Sequence, residues 1–336
     1  MKYCLFTLLA GGLLLFSSCN NKGEKYDRII RNGIVYDGSG APGIRADIGI
    51  RNDTIAFIGD LSAASATEET DAAGQALAPG FIDTHSHHAG NPFSHRDFTA
   101  VLSQGITSII IGQDGGSNFP LASFYQLLTD TPVAVNIGSY SGHNTIRDSV
   151  LGKDFKRAAS AAETEKMKAL LLQDMEAGAL GLSTGLEYDP GIYSAREEVL
   201  ALTKIIAPYN GRYISHIRSE DRYFWNAIDE IINIGKTTGV PVQVSHIKLA
   251  MHNLWGNADS LLAIMDQARK EGVQITSDIY PYAFWHSTIR VLFPDRNFSD
   301  EKEADMILRD ITLPEDIILA AYEINPAYEG KTLAAI

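Results

Sequence analysis

The 336 residues are 45% hydrophobic, enough to bury a large core, and carry a formal net charge of -13. That acidic balance, without any basic cluster, argues against a nucleic-acid partner, and the apolar content argues against a disordered chain. No internal repeat beyond a β-α rhythm and no low-complexity tract stands out.

Residues 1–22 read as a targeting segment. Lys2 supplies a short positive region, an apolar run extends from Leu5 to Phe16, and Phe16-Ser-Ser-Cys19 sets small residues before a cysteine. This is the pattern of a bacterial lipoprotein signal, cleaved before Cys19, which then carries lipid. The alternative is an ordinary secretory leader with Cys19 unmodified. The apolar run is too short for a bilayer span of about 20 residues. The expected location is therefore the bacterial cell envelope, lipid-anchored and facing the periplasm or the outer surface. Cys4 leaves with the leader, so no thiol remains in the mature domain for a disulfide or a metal. Asn20-Asn-Lys-Gly-Glu-Lys25 is polar enough to serve as a tether.

Residues 23–78 read as a β module. Apolar and polar residues alternate on both sides of Asn32-Gly33, which predicts a hairpin there, and the stretch from Asp47 to Gly59 predicts a second.

From residue 79 the pattern changes to apolar runs about 30 residues apart. The first, Pro79-Gly-Phe-Ile-Asp-Thr-His-Ser-His87, ends in two imidazoles one residue apart, which share a side in an extended segment and reach one ion. A chance pair of surface histidines is the bland alternative. Further ligand types close later runs: Asp114 after Ile106-Thr-Ser-Ile-Ile-Ile111, His216 in Tyr213-Ile-Ser-His216-Ile-Arg218, and His246 in Val242-Gln-Val-Ser-His246-Ile-Lys248. Seven strands are expected, ending near His87, Gly112, Gly138, Thr184, Arg218, Lys248 and Asp278, with helices over 163–177, 224–235 and 260–271. Four histidines and an acid at strand ends suit zinc or a similar first-row ion, one or two of them, in an α/β fold whose chemistry gathers at one face. Asp114 has a plain alternative as a residue of the Gly-rich turn.

The motifs Ala78-Pro-Gly-Phe-Ile-Asp-Thr-His-Ser-His87, Gly181-Leu-Ser-Thr-Gly-Leu-Glu-Tyr188, Ser215-His-Ile-Arg-Ser-Glu220, Ser245-His-Ile-Lys248 and Asp278-Ile-Tyr-Pro-Tyr282 resemble, in order, those of the D-aminoacylase (N-acyl-D-amino-acid deacylase) family of metal-dependent amidohydrolases. The resemblance implies a TIM-type barrel over 79–336 beside a small β-sandwich, part of which is 23–78. It implies hydrolysis of the amide of an acylated D-amino acid by a metal-activated water. It assigns His85, His87, His216 and His246 to metal, with Asp114 where several members carry a cysteine ligand, and leaves Glu187 or Asp114 able to bridge two ions. It also implies an eighth strand bearing the general-base aspartate, so the barrel is expected to lack its last strand, that base to lie beyond Ile336, and the activity of these 336 residues alone to be in doubt.

A product carboxylate needs a partner. The resemblance gives Lys248 and the tyrosines Tyr282 and Tyr280 that role, and places His143 at the pocket. Arg218 and Arg290 are further candidates, each with a structural salt bridge as alternative. Rival readings are another amidohydrolase of dihydroorotase, hydantoinase or dipeptidase type, and a lipid-anchored binding protein without metal. The expected partners are a small acylated D-amino acid or peptide and, through the anchor, a membrane.

Overall fold

The computed structural model describes residues 23–88 and 92–336; the leader and Cys19 lie outside the described residues. The chain divides into two compact units, one ending at Gly80 and one running from Phe81 to Ile336.

The first unit is a single mixed sheet. Its strands are β1 Lys25–Val35, β2 Ile44–Arg51, β3 Thr54–Gly59, β4 Ser65–Asp71 and β5 Ala76–Leu77, ordered β3-β2-β1-β4 with β5 also on β1. The second expected hairpin forms, Arg51 pairing with Thr54 around Asn52 at φ 51°. The first does not. β1 runs straight through Asn32-Gly33, and the register against β2 shifts there as a bulge, with Asn32 at φ 58°. Local chemistry is the same in a turn and in a bulge, since both need a residue that tolerates positive φ. The choice is made by packing, because a Cβ on Gly33 would lie 2.3 Å from the Leu77 side chain.

The second unit alternates strand and helix. Its strands are β6 Phe81–Asp83, β7 Ile106–Ile111, β8 Asn136–Ser139, β9 Ser141–Gly142, β10 Gly181–Gly185, β11 Arg212–His216, β12 Val242–Val244 and β13 Ile275–Ser277. Every pairing is parallel and follows chain order, as β6-β7-β8 and β9-β10-β11-β12-β13. Only Tyr140 separates β8 from β9, so the seven expected strand positions are all filled. This is the winding of a (β/α) barrel. Among the described residues β6 and β13 are each paired on one side only.

The helices that matter below are α1 Thr99–Leu102, α2 Leu121–Asp130, α3 His143–Leu151, α4 Ala161–Glu176, α5 Arg196–Ile206, α6 Phe224–Thr238 and α7 Ala258–Lys270. Their starts follow from sequence where a cap exists. Ser160 accepts from the Glu163 N–H while Glu163 accepts from the Ser160 N–H, a capping box that sets the start of α4. Strand residues Ile109, Ile111, Leu182, Tyr213, Val242 and Val244 pack with helix residues Met167, Leu171, Leu202, Ile228 and Met265 in one core. Each such aliphatic burial stabilises by roughly 1.5–3 kcal/mol, which is what holds the strand ends in register. No helix of the described residues is long and apolar enough to cross a membrane.

Candidate metal centre

The expected ligands meet. β6 stops at Asp83, so His85 and His87 stand in the following loop instead of on the strand, yet their Nε2 atoms lie 3.3 Å apart. Asp114 comes in from the loop after β7 at φ 53°. Its carboxylate is 3.1 Å from His87 Nε2, 3.5 Å from His85 Nε2 and 3.3 Å from His246 Nε2. His216, the last residue of β11, brings Nδ1 to 3.0 Å from His246 Nε2. The turn carrying Asp114 is seated on β10, where a Cβ on Gly185 would lie 2.1 Å from the Asp114 carbonyl oxygen.

This packing fits a cation. The ligand atoms of His85, Asp114 and His246 lie within 4.8 Å of one another, as do those of His216, Glu220 and His246. Ring nitrogens 3.0 to 3.3 Å apart hold opposed lone pairs unless a proton or an ion lies between them, and Asp114 Oδ1 is buried without a hydrogen bond. Imidazole and carboxylate form a borderline-to-hard donor set that suits zinc.

The imidazoles and carboxylates of the cluster shift one another's protonation. Burial works against charge on His85, but hydrogen bonds to Asp114 and Asp278 outweigh it and push the imidazole up to about 10. Burial likewise opposes charge on His246, and hydrogen bonds to Asp114 and Glu220 raise it to about 9. Asp114 is held far below the carboxylate range: burial raises it, and the neighbouring imidazoles of His246, His85 and His87 more than reverse that.

Around the ligands lies a second ring of carboxylates. Glu187 Oε2 is 3.0 Å from His216 Nε2, Glu220 Oε1 is 2.9 Å from His246 Nδ1, and Asp278 Oδ1 is 3.1 Å from His85 Nδ1. Asp278 also accepts from the His246 N–H and from Gln243, both at 2.6 Å. It thereby fixes the turn where His246 adopts φ 35°. Glu187 stands behind His216, which does not suit the bridging role open to it on sequence. Sequence assigns neither Glu220 nor Asp278 a role at the centre; the available signals are that Glu220 lies four residues past His216 and that Asp278 stands at the end of the seventh strand.

The substrate candidates separate. Lys248 reaches the cluster, Nζ lying 2.5 Å from Glu220 and 5.7 Å from the Tyr280 ring centre. Tyr282 is 74% exposed at the surface. Arg290 pairs with Asp189 at 2.8 Å, beside Tyr188, whose ring packs 4.3 Å from that of His216. Two candidates need correction. His143 has no exposed surface and its Nε2 meets Glu198 at 2.8 Å, a carboxylate shared with the fully buried Arg147. Arg218 forks onto Glu230 at 2.8 and 2.9 Å and donates to the Ser194 carbonyl. His143 is held by a hydrogen bond to a buried carboxylate and Arg218 by an ion pair, since polar groups inside the fold need fixed partners. A cleft of about 310 Å³ opens beside His87, lined by Ser86, Gly112, Gln113, Gly116, Ser117 and Asn118.

Comparison with known proteins agrees with this geometry. The model of the amidohydrolase family matches residues 68–309. The N-acyl-D-glutamate deacylase of Alcaligenes xylosoxydans xylosoxydans is 36% identical over 93% of the chain, and the D-aminoacylase of the same organism 34% over 77%. The chain spans 65% and 58% of the lengths of these two relatives. The crystal structure of the N-acyl-D-glutamate deacylase from Bordetella bronchiseptica, complexed with zinc and a phosphonate inhibitor that mimics its tetrahedral intermediate, is 34% identical. It superposes with a TM-score of 0.81, over 93% of this chain and 67% of that one. The family match and these identities place the chain in the amidohydrolase family, among its D-aminoacylase members.

Proposed function

We propose that this protein is a metal-dependent N-acyl-D-amino-acid deacylase, hydrolysing the amide bond to release a carboxylate and the D-amino acid. The observation that carries the reading is the convergence of His85, His87, Asp114, His216 and His246 from four strand ends onto one centre, in a chain whose relatives are named deacylases of that kind. His85, His87, Asp114, His216 and His246 would hold the metal, zinc by their donor chemistry. What an ion supplies there is Lewis acidity: water on it ionises near pH 7, and a carbonyl beside it is polarised.

The chain's own residues then position the substrate. Lys248 offers its ammonium to the α-carboxylate, exchanging Glu220 for the substrate as partner. Burial pushes the Tyr280 phenol up to about 12, so it keeps its proton and donates a hydrogen bond throughout the neutral range. The cleft beside His87 is polar and open enough to receive one end of the substrate.

The test is hydrolysis of N-acetyl-D-amino acids, acidic and neutral, by the full chain. We expect activity that a chelator abolishes and zinc restores, and that His85→Ala reduces to background. A zinc-loaded chain that leaves every N-acyl-D-amino acid intact would overturn the reading. We infer further, from the residues before Cys19, that the mature chain is anchored to the bacterial cell envelope by lipid on Cys19. Cys19→Ser is then expected to move the protein from the membrane fraction to the soluble one and to abolish fatty-acid labelling.

A further inference from the structure

His216 and His246 face each other through different nitrogens, Nδ1 of the first and Nε2 of the second, 3.0 Å apart. An imidazole can turn either nitrogen inward by rotating about χ2, so something must decide. For His216 the deciding contacts are on the page. Glu187, 7% exposed, lies just past the end of β10, the strand whose Gly185 pairs with His216. Its Oε2 is 3.0 Å from His216 Nε2, and its Oε1 accepts the Glu220 N–H at 3.1 Å. Its backbone carbonyl accepts from Arg296 at 2.5 Å, and Leu186 donates to the His216 carbonyl at 3.0 Å. The Tyr188 ring packs against the imidazole, tilted by 41° with centroids 4.3 Å apart. Both oxygens of the Glu187 carboxylate are therefore engaged, one by the imidazole and one by the backbone.

We propose that Glu187 is a positioning residue: it accepts the Nε2–H of His216, fixes that tautomer, and so presents Nδ1 to the metal. The inference rests on the metal centre proposed above and adds a specific assignment to it. A carboxylate in this place accepts twice, once from the imidazole and once from the Glu220 amide. A carboxamide cannot. Turned to accept from Glu220, it points its NH₂ at His216 Nε2, which drives the imidazole proton onto Nδ1. Turned the other way, it sets two donors against each other at the Glu220 amide.

The experiment uses the full chain loaded with zinc. Long-range ¹H–¹⁵N correlation of the ring nitrogens is expected to show His216 protonated at Nε2. Glu187→Gln is expected to weaken zinc binding by about 10–100-fold, the usual effect of removing an outer partner of a ligand histidine, measured by competition with a chromophoric chelator. A wild-type His216 protonated at Nδ1, or a folded Glu187→Gln variant with zinc affinity unchanged within about threefold, overturns the assignment while leaving the metal centre in place. A wild-type chain that takes up no zinc overturns both. The tautomer measurement needs no variant, so a Glu187→Gln protein that fails to fold leaves that arm decisive.

Discussion

Asp114 is the residue on which the chemistry of the centre turns. Its carboxylate collects three imidazole nitrogens within 3.5 Å, a place where a thiolate would bind a borderline metal more tightly than a carboxylate does. Asp114→Cys is therefore expected to tighten zinc binding in chelator competition. Asp114→Ala is expected to weaken it by at least the roughly 10–100-fold that loss of a mere outer partner costs. The reverse order would remove Asp114 from the ligand set.

A second single residue, Glu198, answers for stability instead of chemistry. Burial raises its carboxyl, but hydrogen bonds and charge from His143 and Arg147 outweigh that and hold it below its usual 4.5. The folded state thus binds the proton less well than the unfolded chain does. The contribution is whole above about pH 4.5 and drains away as pH falls through the lower folded value. Urea unfolding followed from pH 6 downward is expected to show this loss, and Glu198→Gln to flatten it. Because Arg147 has no exposed surface, Glu198→Ala leaves a buried charge unpaired and should cost about 3–5 kcal/mol.

Elements position the site through close backbone contacts. Gly185 ends β10 with its Cα against the Asp114 carbonyl, where an added Cβ would sit at 2.1 Å and would also meet the Tyr188 ring at 2.9 Å. Gly185→Ala must displace the Asp114 turn, so zinc affinity is expected to fall while the circular dichroism of the helices is retained. The capping box of α4 is a contrasting case. Ser160→Ala removes one acceptor at an exposed helix end and is expected to cost about 1 kcal/mol of stability, with zinc affinity unmoved. The first change tests an element as a scaffold for the site; the second tests it only as a helix.

Among the described residues, strand edges are left open. β6 and β13 are each paired on one side among the described residues, and Phe81 and Ile82 on β6 are 61% and 60% exposed. A row of unpaired backbone groups beside exposed apolar side chains is a template for association. The ends of the same two strands are nonetheless brought together by His85 and Asp278, 3.1 Å apart. Concentration-dependent light scattering is expected to fall in an Ile82→Lys variant, since a charge on the edge opposes strand pairing. Unchanged scattering would place any self-association elsewhere on the surface.

The clustered histidines and the seven strand positions were legible in residue order, because β-α units of about 30 residues put His216 and His246 at the ends of two successive strands and His85 past the end of an earlier one. Residue type and period carry that information locally. What they could not carry was partnership across the chain. Glu187 and His216 are 29 residues apart and meet only because β10 and β11 lie side by side in parallel register. The family resemblance implies His143 at the pocket, whereas the packing of α3 takes it to Glu198, 55 residues on. Asn32-Gly33 was ambiguous for the same reason: its backbone preference permits a turn or a bulge, and Leu77 decides between them. Sequence alone determined which side chains are able to bind a metal, while the direction each imidazole faces, and which charges are used up inside the fold, waited on tertiary contacts between residues that the chain keeps far apart.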